Sequence, residues 1–483
     1  MKELSIAAIH AAMLRGELTS RQLVQDCLQR IAAYDQQGPK LNVVIRINPR
    51  ALELADELDG KLSSGGLVGA LHGIPILLKD NIDTADLPTT AGSVCLEKHQ
   101  PLQDAWLVKR LKAAGAIILA KVNLHEFAVW GETVSSLQGQ TLNPYDLTRT
   151  PGGSSGGTGA GVAAGFGVAG IGTDTVNSVR SPASANSLVG IRPTTGLISR
   201  AGLVPYSLSQ DTAGPICRNV ADTALLLGVM AGYDPADPRT AWSVGNIPLD
   251  GYFPAIAGNP LRGCRLGILD SLFGKGPEHA EVNVAVHACI AQMQECGAEF
   301  VELAEPIDSA RLASEVSVHL FDLEHDLNSY LKDLEPAALV HSLQEVVASG
   351  RFHPGIAANL RQALALKTDS LQYLQRLREQ ERLKERLLDI MATHRLDAFV
   401  FPHQQRLVVK IGETQVQRNG VLASVTGFPS VTIPAGFSAP STTAPLGVPI
   451  GIEFIGRPWS EQALIRLAGA VEQVRPVSKA PIL

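Results

Sequence analysis

Residues 151–165 read PGGSSGGTGAGVAAG, and how this stretch is taken decides how the chain around it is organised. A flexible linker would be equally rich in Gly and Ser, but it would not run on into the apolar stretch 162–170. A phosphate loop needs GxxxxGK followed by Ser or Thr, and no lysine is present. The third reading is a tight turn that presents hydroxyls at the start of a helix. Glycine reaches backbone conformations closed to other residues, and the N–H groups at a helix N-terminus favour developing negative charge.

Outward from this turn, short apolar runs at 74–78, 116–120 and 168–172 alternate with a helical pattern at 105–114. That alternation predicts an α/β fold, a sheet covered by helices. Before it, Ile6, Ile9 and Met13 share one helical face, Gly16 can end that helix, and Ser20 can start a second carrying Leu23, Val24, Cys27, Leu28 and Ile31. Residues 1–60 therefore read as a helical arm. Residues 305–395 are rich in Leu, Glu, Gln and Arg with few glycines, and read as a helical insertion. Strand patterns return at 396–401, 430–434 and 449–456, followed by an amphipathic helix over about 461–473. SAPSTTAPLG (438–447) lies between two strand patterns and reads as a surface loop. We expect one domain over 1–483, its catalytic core built from 61–240 and 396–475.

The 483 residues are 45% hydrophobic and 18% charged, with a formal net charge of −6. The basic residues are scattered, with no stripe that could track a phosphate backbone, so no nucleic-acid partner is expected. The N-terminal stretch lacks the apolar core of a signal peptide, and no apolar run reaches the roughly 18 residues of a membrane span. A cytoplasmic location with no membrane partner is the default. The six cysteines form no CxxC pair and no zinc-spaced cluster with histidine, so they read as buried thiols.

Two further segments carry chemistry. In LHGIPILLKDNID (71–83), Lys79 follows a mostly apolar run, so a strand would deliver an ammonium to the edge of the core; a lysine at a strand end can equally be solvated. In GTDTVNSVRSPAS (172–184), a polar turn follows an apolar run and exposes Ser178.

Taken in order, these segments resemble the hallmark stretches of the amidase signature family. The lysine motif is similar to GIPILLKDNIDTADLPTTAGS (73–93), the first serine motif to NPYDLTRTPGGSSGG (143–157), and the nucleophile motif to GTDTVNSVRSPASANSLVGIRPTTG (172–196). DTAGPICRNVADTALLL (211–227), AGYDPADP (231–238) and VPIGIEFIGRP (448–458) extend the resemblance over roughly residues 5–475, weakest in the helical insertion.

The resemblance implies a central mixed, twisted sheet with helices on both sides. It implies that Ser178 is the nucleophile, Ser154 the bridging serine with a cis peptide bond before it, and Lys79 the terminal base. Lysine can serve as a base only when neutral, so its reference pKa of about 10.4 must fall, which desolvation promotes. The backbone N–H groups of Thr175, Val176, Asn177 and Ser178 would form the oxyanion hole, with Ser155, Thr173 and Asp174 supporting the turn. Ala128, Val129, Trp130 and Asn177 would line the substrate pocket, although a tryptophan in an apolar run also suits a core. No metal or organic cofactor is implied. The expected partners are a small-molecule amide and water, with a homodimer left open.

Two departures stand out. The family has two glycines before the nucleophile where this chain has Val176 and Asn177, so the loop keeps its course only if Val176 avoids positive φ. The family also has Asn at the place of Ser135 and an aromatic near Gln138. Three functions compete: a stand-alone amide hydrolase, the A component of a tRNA-dependent amidotransferase delivering ammonia to a charged tRNA, and a homologue that binds without cleaving. The missing glycine pair, and NSYLKDLEP (328–336), which resembles amidases of the peptide-amidase kind, favour the hydrolase.

Overall fold

Every residue of Pro75–Lys79 is buried. Successive side chains leave a strand on opposite sides, and here Ile76 and Leu78 join one hydrophobic cluster while Leu77 joins another. A strand packed on both faces must be apolar throughout, which accounts for the continuous run PILL. The structure is a computed structural model and describes residues 4–252, 261–334 and 338–483.

In chain order the strands are β1 (Val44–Ile47), β2 (Pro75–Lys79), β3 (Ile117–Val122), β4 (Val134–Ser135), β5 (Gly139–Gln140), β6 (Ala169–Asp174), β7 (Val189–Arg192), β8 (Thr212–Cys217), β9 (Arg265–Leu269), β10 (Glu299–Leu303), β11 (Ala398–Pro402), β12 (Ser430–Phe437) and β13 (Pro449–Ile455). Eleven of them form one sheet in the order β1-β3-β2-β6-β8-β7-β12-β13-β11-β9-β10, and β4 and β5 make a separate small hairpin. The sheet is mixed. β3, β2 and β6 run parallel, as do β11, β9 and β10, and the strands between them pair antiparallel.

Around β2, helices Ile6–Leu14, Trp106–Ala113 and Val220–Met230 cover one face, and Ser20–Tyr34, Ala51–Gly65 and Gly156–Ala163 cover the other. The last of these is the glycine-rich stretch. A Cβ on Gly161 would lie 2.6 Å from Leu77 Cδ1, one on Gly157 would overlap the Asn123 carbonyl oxygen, and one on Gly170 of β6 would overlap the Thr158 methyl. The small residues thus let a helix rest directly on the sheet, with no room for side chains between.

Residues 309–393 are largely helical, as expected of the insertion, with long helices at His319–Leu331 and Leu371–Thr393. Leu323, Leu327, Leu343 and Leu360 of this segment share a hydrophobic cluster with Phe127, Ala128, Val129 and Tyr206, so it is anchored beside the turn after β3. Of NSYLKDLEP, residues 335–336 lie outside the described residues. The arm at 1–60 is not wholly helical: β1 adds an antiparallel edge strand beside β3. β9 and β10 also extend the sheet beyond the strands expected from the sequence.

Candidate active site

Lys79 is the last residue of β2 and shares the face of Leu77, so its side chain runs toward the start of the glycine-rich helix. Its Nζ donates to Ser154 Oγ (2.8 Å), Thr173 Oγ1 (2.7 Å) and the Thr173 carbonyl (3.3 Å). The side chain is fully buried and, among the described residues, makes no ion pair. Burial pulls its pKa down to about 7, opposed in part by the more distant charges of Asp174 and Asp211. Lys121 on β3 is equally buried but lies 3.1 Å from Asp80 Oδ1 and also donates to the Ile82 carbonyl and Thr89 Oγ1. That lysine has a carboxylate to balance a positive charge. Lys79 instead faces two hydroxyls, which can donate as well as accept, so a neutral amine fits there without losing its partners.

The Gly153–Ser154 peptide bond is cis. The Ser154 carbonyl accepts from the His125 N–H at 3.0 Å, and Thr133 Oγ1 donates to the Gly152 carbonyl at 2.7 Å. Ser155 Oγ donates to the Thr173 carbonyl (3.1 Å) and accepts from the Thr173 N–H (3.3 Å). The Ser155 N–H in turn donates to the Ser178 carbonyl at 3.3 Å, which brings the serine turn against the loop carrying Ser178. Lys79, Ser154 and Ser178 are thereby gathered from three separate segments.

Residues 175–178 are held by their carbonyls. Gln210 Nε2 donates to the Thr175 carbonyl, Arg180 Nη2 and Ser424 Oγ to that of Val176, and the Ser181 N–H to that of Asn177. In a trans peptide the N–H points opposite the preceding carbonyl, so the N–H groups of Val176, Asn177 and Ser178 turn away from these partners. Neither Val176 nor Asn177 has a positive φ, so the loop follows its course without the glycine pair. Asp174 lies beneath it, paired with Arg180 (3.0 Å) and Arg192 (2.9 Å) and accepting from the Val179 N–H. Burial alone would raise the Asp174 carboxyl, but the two guanidinium groups hold it well below the usual carboxylate range.

Ser178 opens onto a cavity of about 380 Å³, within the size range of small-molecule sites. Thr175, Val176 and Asn177 line it beside Ser178, and Ala128, Val129 and Trp130 form an adjoining wall. The helical segment supplies the facing wall through residues such as Ser317, His319, Phe321 and Gln362. Burial, reinforced by Arg418 and Arg376, pushes His319 down to about 3, so it is neutral at ordinary pH. Among the described residues no group of three His, Cys, Asp or Glu side chains is arranged to hold a metal ion.

Several contributors were not singled out from the sequence. Arg180, Arg192, Gln210 and Asp211 brace the loop, and Arg376 and Arg418 line the cavity. Arg180 stands inside the quoted nucleophile segment, but its partner Glu453 (2.5 Å) is on β13, and nothing local signals the pair. Buried arginines among small residues were the available clue.

The family model described as Amidase matches residues 22–465. The solved structure of native peptide amidase from Stenotrophomonas maltophilia superposes with a TM-score of 0.87 at 36% identity, covering 99% of this chain and 98% of that one. The A component of glutamyl-tRNA(Gln) amidotransferase from Cyanothece sp. is 32% identical over 491 residues, 98% of both chains. A "Probable amidase" of Arabidopsis thaliana is 34% identical over 513 residues, 100% of this chain and 92% of that one. The matched region contains every segment that builds the site, and the chain belongs to the amidase family.

Proposed function

We propose that the protein is a stand-alone hydrolase of carboxylic amides that works through Ser178, Ser154 and Lys79. The carrying observation is the fully buried Lys79, bonded to Ser154 Oγ and lacking a carboxylate partner among the described residues. That environment yields a neutral amine near pH 7, the form a general base requires.

In this reading Ser178 Oγ attacks the amide carbon while its proton passes through Ser154 Oγ to Lys79 Nζ. The carbonyl oxygen becomes an oxyanion, and the N–H groups of residues 175–178 are the donors that would meet it. Asp174 is too far buried among arginines to take the proton and serves to position the loop. On collapse the C–N bond breaks, and Lys79 returns the proton through Ser154 to the departing nitrogen. An ester on Ser178 remains. Water attacks it with its proton moving along the same path, the carboxylic acid leaves, and Ser178 regains its hydrogen.

The hydrolase reading is favoured over the amidotransferase one because this chain's own helical segment supplies the facing wall of the cavity. The higher identity to the peptide amidase agrees with it. The test is a hydrolysis screen over primary amides, anilides, carbamates and ureas with the wild type and Ser178→Ala. Turnover in the wild type alone supports the proposal, and turnover that survives in the variant sinks it.

A further inference from the structure

Arg418 lines the catalytic cavity, its guanidinium carbon 4.6 Å from the centre of the Trp130 ring. Its position is fixed from several sides. Nη1 lies 2.9 Å from where a Cβ on Gly131 would stand, so only glycine leaves space for it. Two residues later, a Cβ on Gly420 would lie 2.8 Å from Asn177 Cβ, which ties the Arg418 segment to the loop of Ser178.

What sets Arg418 apart is that, among the described residues, its side chain makes no hydrogen bond and no ion pair. The other cavity arginine, Arg376, is committed: it donates to the carbonyls of Ser317 (2.6 Å) and Ser314 (2.5 Å). Glu132 acts on Arg418 through space only. Its Oε1 already accepts from Trp130 Nε1 and from the Gln415 N–H, both at 2.9 Å, and its Oε2 lies 3.7 Å from His125 Nδ1. The lining contains two arginines and no Asp or Glu. A guanidinium held against an aromatic face, partly withdrawn from water and without an acceptor, is an open fork for a planar two-oxygen anion.

We propose that Arg418 is the specificity determinant of this site and that the preferred substrates are amides that also carry a carboxylate, which Arg418 binds through paired hydrogen bonds. This rests on the amidase reading. The neutral His319 and the carbonyl-bound Arg376 leave Arg418 as the cation free to meet that group.

The test compares half-amides of linear dicarboxylic acids, from succinamate upward, with uncharged primary amides of the same chain length. The readout is the ratio of kcat/KM for each charged and neutral pair. In the wild type we expect at least one chain length with a ratio of tenfold or more in favour of the carboxylate. Arg418→Gln should collapse that ratio at least tenfold, mainly through KM, and Arg418→Lys should restore part of it. A parallel titration of Ser178→Ala with the matching free dicarboxylate should show binding that is lost in Ser178→Ala/Arg418→Gln. Hydrolysis of neutral amides with no preference for charge, or a ratio unchanged in Arg418→Gln, overturns the role of Arg418 while leaving the hydrolase standing. Failure to cleave any amide overturns the underlying reading itself.

Discussion

Asp174 and Arg180 form a fully buried ion pair, 3.0 Å apart, across the two ends of the loop that carries Ser178. Arg192 and Glu453 extend it, and His403 Nδ1 reaches the far carboxylate at 2.6 Å. Removing one member strands the others without water. Arg180→Met should therefore lower unfolding free energy by about 3–5 kcal/mol, read by urea denaturation, together with loss of activity. The folded-state pKa of Asp174 lies below its unfolded value of about 3.9. Its stabilisation is thus complete above that pH and fades as pH falls toward the folded-state value.

Lys79 sets the expected pH profile. With a folded-state pKa of about 7, kcat/KM should climb through pH 7 and level off above it. The same shift makes the native state bind fewer protons than the unfolded chain. The contribution of Lys79 to stability therefore rises from about pH 7 toward its unfolded pKa of about 10.4. A flat kcat/KM between pH 5.5 and 8.5 would falsify the assignment of Lys79 as base.

Ser178, Ser154 and Lys79 should behave as one unit. Ser178→Ala and Lys79→Ala should each reduce kcat by at least about a thousandfold, and the double variant should be little worse than either. Additive losses in a steady-state double-mutant cycle would show that the two act separately.

Gly157 tests the close packing of the glycine-rich helix. A methyl group there would overlap the Asn123 carbonyl, so Gly157→Ala should destabilise by about 1–3 kcal/mol or more. Because Ser154 sits just before this helix, kcat should fall with it, whereas Gly60→Ala, with open space at its Cβ, should change neither.

The site's chemistry was legible because it lies in short segments whose local texture is unusual: a lysine ending an apolar strand, and serines among glycines. The strands at 75–79, 117–122 and 169–174 followed from continuous apolar runs, since strands buried on both faces need them. β1 escaped because VIRI is short and half exposed, a pattern weak beside the helices around it. β10 escaped for a similar reason: EFVEL at the sheet edge has only one fully buried residue. Arg418 could not be read as a cavity residue at all. Its placement depends on Trp130 and Gly131, far away in sequence, which meet it only after β3 and β11 are laid in the same sheet.

The cavity has two sides of different origin. Ser178, Ser154 and Lys79 rest on neighbouring strands and a helix pressed onto them, where almost any added atom collides. His319, Phe321 and Gln362 come from helices with their own apolar cluster and mostly solvated outer faces. Mutation can therefore explore new substrates on one side while the reacting groups on the other stay fixed, a division of labour that lets a lineage change its diet without relearning its chemistry.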